Sequence, residues 1–130
     1  GIVFSPDGSR LYVADTGGHK RHPDPKYHDY PDTVTCYAVS KKGKLGKKLF
    51  TIDEGSDGMA VDVKGNLYLT HGQVQVYDAD GKKLETIEVP EKPANVCFGG
   101  KDYKTLFITA RTSLYQVRLL HAGAMSLRKR

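Results

Sequence analysis

Gly1-Ile2-Val3-Phe4-Ser5-Pro6-Asp7-Gly8-Ser9-Arg10-Leu11-Tyr12-Val13-Ala14 is an apolar run, a turn and a second apolar run. The same unit returns as Gly58-Met59-Ala60-Val61-Asp62-Val63-Lys64-Gly65-Asn66-Leu67-Tyr68-Leu69-Thr70. It returns again from Asn95 to Ala110, with Val96 to Phe98 and Leu106 to Ile108 as its two runs. A strand-rich unit repeating at a period near 40 reads as the blade of a β-propeller. Gly58 and Asn95 stand 37 residues apart, whereas Gly1 and Gly58 stand 57 apart. The excess falls mostly in Asp15 to Asp32, a long loop holding His19, His22, His28, Tyr27, Tyr30, Asp24 and Asp29.

Working outward from these hairpins gives an all-β chain of about three antiparallel blades. The blades span about 1–53, 54–90 and 91–120, with 121–130 as a frayed C-terminal tail. Ile2-Val3-Phe4 is apolar on both faces, as an innermost, doubly buried strand would be. Pro6-Asp7-Gly8 is a turn in which proline presets φ and glycine takes a positive φ. Val34 to Val39 and Leu49 to Ile52 complete the first blade, joined by a loop carrying Lys41, Lys42, Lys44, Lys47 and Lys48. In the second blade, Gln73 to Tyr77 alternates like a half-buried outer strand. Asp80-Gly81 marks a hairpin turn, and Thr86 to Val89 alternates as the outermost strand. Pro90 and Pro93 bracket the next crossover. Leu114 to Val117 is the third strand of a last blade that lacks its outer strand. Three blades do not close a ring, and a chain that opens inside a strand is expected to lack its start.

Composition narrows the function. The chain has 130 residues, net charge +5, fourteen Gly and eight Tyr, which suits turns and pleated surfaces. Its lysines sit in scattered polar turns with no accompanying aromatic RNA motif or recognition helix, so no nucleic-acid partner is expected. No apolar stretch is long enough to cross a membrane as a helix. The compartment is left open, since a leader cannot be judged without the start of the chain. Cys36 and Cys97 each lie in an apolar run and read as buried free thiols, with a disulfide left open.

Consecutive strands of a meandering blade alternate in direction. The crossovers and the loops between second and third strands therefore open on one face. That face receives Gly55-Ser56-Asp57, Glu91 to Ala94, His71-Gly72, Arg111-Thr112 and the long loop. As candidates, Asp57 leads because a crossover delivers it to the ring centre beside a glycine. Asn95, His71 and Arg111 are candidate pocket residues, with a turn-capping role open for Asn95. The spacing of His19, His22 and His28 fits no standard zinc site, and their loop reads as a polar lid. Asp7, Asp62, Asp80 and Asp102 lie at turns on the far face and read as structural.

Three stretches resemble the SMP-30/gluconolactonase family. Gly1 to Thr16 resembles its "PNGIxFSPDGxxLYVADT" segment, Ser56 to Tyr68 its "PDGMAVDxxGNLY" segment, and Asn95 to Ala110 its "TNVxFGGxDxxTLYVT" segment. The resemblance covers about residues 1–118 and implies a six-bladed propeller, a central divalent metal and hydrolysis of sugar lactones. The implied metal is most often Ca²⁺, with Zn²⁺ able to serve. Of the implied ligands only Asp57 has a counterpart here, and it is the candidate metal ligand and catalytic carboxylate. An Asn before Gly1 and an early Glu have none, and Ser56 stands where the family has Pro. The expected function is therefore a gluconolactonase-like hydrolase present as a C-terminal part that is inactive alone. The alternative is a non-catalytic propeller that binds a partner on the same face. Open blade edges would also favour self-association.

Overall fold

A computed structural model describes residues 1–16 and 22–127. Two four-stranded sheets and one three-stranded sheet follow each other along the chain, all with antiparallel neighbours. The first holds β1 (Ile2–Phe4), β2 (Arg10–Asp15), β3 (Thr33–Val39) and β4 (Leu45–Ile52). The second holds β5 (Met59–Val61), β6 (Leu67–His71), β7 (Gln73–Tyr77) and β8 (Lys83–Ile87). The third holds β9 (Pro93–Gly99), β10 (Thr105–Ala110) and β11 (Leu114–Arg118). Each sheet is a meander whose innermost strand opens with one copy of the repeated unit.

Side-chain alternation on β6 divides the core in two. Leu67 and Leu69 point toward the first sheet and pack with Tyr12, Val34, Cys36 and Ile52. Tyr68 points the other way, toward Val96, Phe98, Leu106 and Ile108 of the third sheet. Its ring meets Phe98 edge-on at 5.1 Å between centroids, a favoured geometry for two quadrupoles. Asp62 is fully buried at the hydroxyl end of Tyr68. Its carboxylate accepts from Lys64 N at 2.9 Å, Asn66 N at 3.0 Å, Asn66 Nδ2 at 2.9 Å and the Tyr68 hydroxyl at 3.0 Å. Burial, followed by the Asp62 charge, pushes the Tyr68 phenol well above its ordinary range. A buried carboxylate with four donors is satisfied, and it fixes the β5–β6 turn.

The far-face turns follow the same chemistry. Asp7 accepts from Ser5 Oγ, Ser9 N and Ser9 Oγ, and these bonds, the Ser5 hydroxyl first, hold it down at about 2. Arg118 grips Asp102 with both terminal nitrogens, at 2.8 and 2.7 Å, and holds that carboxyl far below its usual range. Arg10 donates to Ala79 O and lies 3.6 Å from Asp80, tying the first sheet to the second.

Several features differ from the sequence reading. Ile2 and Phe4 are 67% and 53% exposed, because among the described residues no further sheet stacks on that side of β1. Conversely, β7 is buried on both faces. The second sheet has a neighbour on each side, and the amide of Gln75 is satisfied by His71 O and the Thr86 hydroxyl. Lys47 and Lys48 belong to β4 rather than to the preceding loop, and β8 ends at Ile87 with Val89 buried beyond it. Pro93 opens β9 opposite Ala110 at a register shift. Cys97 is an exposed free thiol while Cys36 is buried. The end of the chain is not frayed through residue 127: Val63 N bonds Ala122 O, Gly123 N bonds Tyr103 O, and a 3₁₀ turn spans Ala124–Leu127.

Asp62→Ala is expected to destabilise the fold by about 3 kcal/mol, because it strands the buried Tyr68 hydroxyl and two turn amides. Tyr68→Phe is expected to cost less, about 1 kcal/mol, since one donor leaves cleanly. Urea unfolding of the two variants checks the order. Asp7, lowered from 3.8 to about 2, contributes stability that is fully present above pH 4 and fades as the pH falls toward 2. Asp7→Asn should flatten the stability profile in that window alone, as read by thermal unfolding at stepped pH.

Candidate functional site

The crossover from β4 to β5 carries Gly55, Ser56, Asp57 and Gly58. A Cβ on Gly55 would lie 2.8 Å from the Asp32 Cβ and 3.1 Å from the Asp15 carbonyl. Both stems of the long loop thus press on the crossover, and only glycine fits between them. Ser56 is buried; its hydroxyl donates to Gly58 O at 2.7 Å and accepts from Thr70 N at 2.9 Å. The Thr70 hydroxyl accepts from Gly58 N at 3.0 Å and reaches Gly58 O and Ala94 O at 2.8 and 3.1 Å. Gly58 N also bonds Ala94 O, and Asp57 N bonds Thr70 O at 3.3 Å. A small polar network thereby replaces a regular ladder, pins the Asp57-Gly58 backbone and leaves the Asp57 side chain exposed.

Asp57 borders a cavity of about 480 Å³ lined by Gly1, Ile2, Asp57, Gly58, Met59, Ala94 and Asn95. These residues stand at the starts of β1, β5 and β9, so the cavity lies where the innermost strands of all three sheets converge. Asn95 closes over Gly58: a Cβ there would fall 1.9 Å from Asn95 Oδ1. That oxygen already accepts from Val96 N at 2.9 Å. The structure therefore brings Asp57 and Asn95 together. It places His71 and Arg111 outside the cavity lining. His71 Nε2 lies 3.5 Å from Asp32 Oδ2, both side chains being half exposed, and Arg111 is exposed at the turn between β10 and β11.

Glu91, His22 and His28 are engaged in local structure. Glu91 accepts from the Thr112 hydroxyl and from the Tyr115 hydroxyl at 3.2 Å, and the Thr112 bond leads in holding its carboxyl below the ordinary value. His19 lies outside the described residues. His28 Nε2 is 2.7 Å from His22 O, and His22 caps Asp24 N at 3.0 Å. Among the described residues no group of three or more His, Cys, Asp or Glu side chains is clustered to hold a metal. The Asp57 carboxylate is a hard oxygen donor of the kind Ca²⁺ takes, but such an ion needs six to eight oxygens. Among the described residues, the side chains lining the cavity offer one carboxylate, of Asp57, and one amide oxygen, of Asn95, toward that shell. Ser56 and Thr70 were not read from the sequence as site residues. Their only sequence signal is a small hydroxyl beside each end of an Asp-Gly turn and its partner strand.

The model of the family described as SMP-30/Gluconolactonase/LRE-like region matches residues 1–112. A pentonolactonase of Haloferax volcanii is 44% identical over 119 residues, covering 84% of this chain and 36% of that protein. The structure of a gluconolactonase from Xanthomonas campestris is 30% identical with a TM-score of 0.70, covering 92% of this chain and 37% of that one. A calcium-binding protein, regucalcin, from Agrobacterium tumefaciens is 30% identical with a TM-score of 0.67, over 85% of this chain and 37% of that one. The chain thus spans little more than a third of the length of these relatives.

Gly58→Ala is expected to lower stability by several kcal/mol, as its methyl meets both the side chain and the backbone of Asn95. Ser56→Ala should cost about 1–2 kcal/mol by stranding Thr70 N. Thermal unfolding should rank glycine replacement as the worse of the two; the reverse order would show that the crossover relaxes.

Proposed function

The chain belongs to the SMP-30/gluconolactonase/LRE-like family, and we propose that the protein carrying it opens sugar lactones, with Asp57 as a ligand of a divalent cation, Ca²⁺ before Zn²⁺. One observation carries the reading. A buried hydroxyl network and two obligate glycines hold a single exposed carboxylate at the point where three innermost strands meet. Such effort spent on one turn fits a positioned reactive group better than a spacer. The lactonase relatives and the regucalcin described as calcium-binding support the same substrate class and ion.

Lactone opening adds water across a cyclic ester: the carbonyl carbon gains the water oxygen, the ring C–O bond breaks, and the ring oxygen leaves as a hydroxyl. A bound cation supplies polarisation of that carbonyl. Asp57 would hold the cation by one oxygen and accept the proton of the attacking water at the other, returning it to the departing ring oxygen. Asn95, packed against Gly58 at the cavity wall, would offer its amide nitrogen to a substrate hydroxyl. His71 and Arg111 would contribute only at the periphery. The other ligands implied by the resemblance have no counterpart in residues 1–130, so the isolated chain is expected not to turn over.

In the full-length protein that carries this chain, Asp57→Ala should reduce hydrolysis of glucono-δ-lactone at least about 10²-fold and weaken Ca²⁺ binding measured by calorimetry. Turnover unchanged in that variant would overturn the assignment.

A further inference from the structure

We propose that the hairpin joining β3 to β4 docks on an anionic phospholipid membrane, its lysines meeting the lipid phosphates while Leu45 and Leu49 enter the interface. The proposal stands apart from the lactone chemistry of Asp57. Its first support is the distribution of charge. Lys41, Lys42, Lys44, Lys47 and Lys48 fall within residues 40–51, a stretch without Asp or Glu. They are five of the 20 basic residues, and the other fifteen equal the fifteen acidic ones, so this hairpin holds the whole excess charge of +5. Residues 40–49 are all exposed. Among the described residues none of the five lysines enters an ion pair.

The second support is that the surface is ordered and left unneutralised. Ser40 N donates to Lys44 O at 2.9 Å, Gly43 N to Ser40 O at 2.8 Å and Lys44 N to Ser40 Oγ at 3.1 Å. The carboxylate bordering this turn, Asp7, shares a cavity of about 360 Å³ with Ser40, Lys41 and Gly43, but it is spent on Ser5 and Ser9. The outer strands of the other two sheets differ. In β8, Lys83 pairs with Glu54 at 3.1 Å and Glu85 follows two residues on; in β11, Arg118 is held by Asp102. Lysines along an edge strand discourage pairing with another chain, which accounts for Lys47 and Lys48. It does not account for three more lysines at the turn. Nor does it account for Leu45 and Leu49, 56% and 39% exposed on the same strand, which invite the association that the lysines resist.

A lipid surface fits this mixture better than a nucleic acid does. Lysine is a compact point charge without the planar fork by which arginine reads base edges. Residues 40–49 hold no arginine and no aromatic ring on which a base could stack. Apolar side chains set among lysines match a bilayer, whose anionic headgroups attract the charge and whose acyl boundary takes up the leucines. Docking there also leaves the candidate site open. The eight residues of β4 run from the hairpin to the crossover that carries Asp57, a distance of roughly 25 Å. The carboxylate therefore stands at the end of the strand away from the membrane.

The test is flotation of the full-length protein that carries this chain with vesicles of phosphatidylcholine, alone or mixed with phosphatidylserine at about 3:1. Binding is expected with the mixed vesicles only, and it should fall as salt is added. Lys41→Gln with Lys42→Gln should weaken it at least about ten-fold. Lys26→Gln with Lys92→Gln removes the same charge elsewhere and should leave binding within about two-fold. Leu45→Gln with Leu49→Gln should weaken it at least about five-fold. All six side chains are exposed, and thermal unfolding checks that each variant folds. Equal binding to the two kinds of vesicle, even by the unmutated protein, would overturn the proposal. So would binding that survives the lysine pair or the leucine pair, or that falls equally with the control pair. Tighter binding to a duplex DNA probe than to vesicles, lost with the lysines and kept without the leucines, would assign the hairpin to a polyanion instead.

Discussion

Strict alternation along β6 is the constraint on which the structure depends. Leu67 and Leu69 belong to the interface with the first sheet, and Tyr68 to the interface with the third. A slip by one residue would turn both leucines toward the third sheet and take Tyr68 away from Asp62 and Phe98. The two polar anchors of the second sheet lie on that strand. Tyr68 donates to Asp62 at one end, and Thr70 knots Ser56, Gly58 and Ala94 at the other. One register thus sets a far-face turn and the crossover of the candidate site together.

The consequence is a site built from backbone more than from reactive side chains. Ser56 and Thr70 spend their hydroxyls on carbonyls and amides, and Gly58 yields its side chain to the approach of Asn95. The Asp57 carboxylate is left exposed. Under the proposed reading Asp57 would share a cation with donors from elsewhere; the chain spans 36% of the length of a pentonolactonase. The innermost strands also leave apolar residues exposed. Ile2, Phe4 and Cys97 border a groove of about 420 Å³ that also takes in Met59, Phe98 and Met125, on a side where no further sheet stands among the described residues.

Much of the fold is legible in local chemistry. Turns such as Pro6-Asp7-Gly8 and Asp80-Gly81 place glycine at positive φ, and the flanking runs alternate or fill as strands do. Asp57 and Asn95 could be named as neighbours because strand direction puts successive crossovers at one end. The reach of the other candidates could not. His71 turns to Asp32, 39 residues earlier in the chain, a pairing that depends on how two sheets stack. Ser56 and Thr70 escaped notice for the same reason, their bonds spanning 14 residues and reaching Ala94, 24 from Thr70.

The sequence alone determined the repeat, the hairpins, their turns and the face on which each loop opens, since these follow from periodicity and glycine or proline stereochemistry over a few residues. Tertiary structure alone decided burial. The doubly covered β7, the bared Ile2 and Phe4, the exposed Cys97 and the end segment fastened through Ala122 and Gly123 all depend on which sheet stands opposite. Apolar area is removed from water only by a neighbour, and a neighbour's position is not written in the strand it covers.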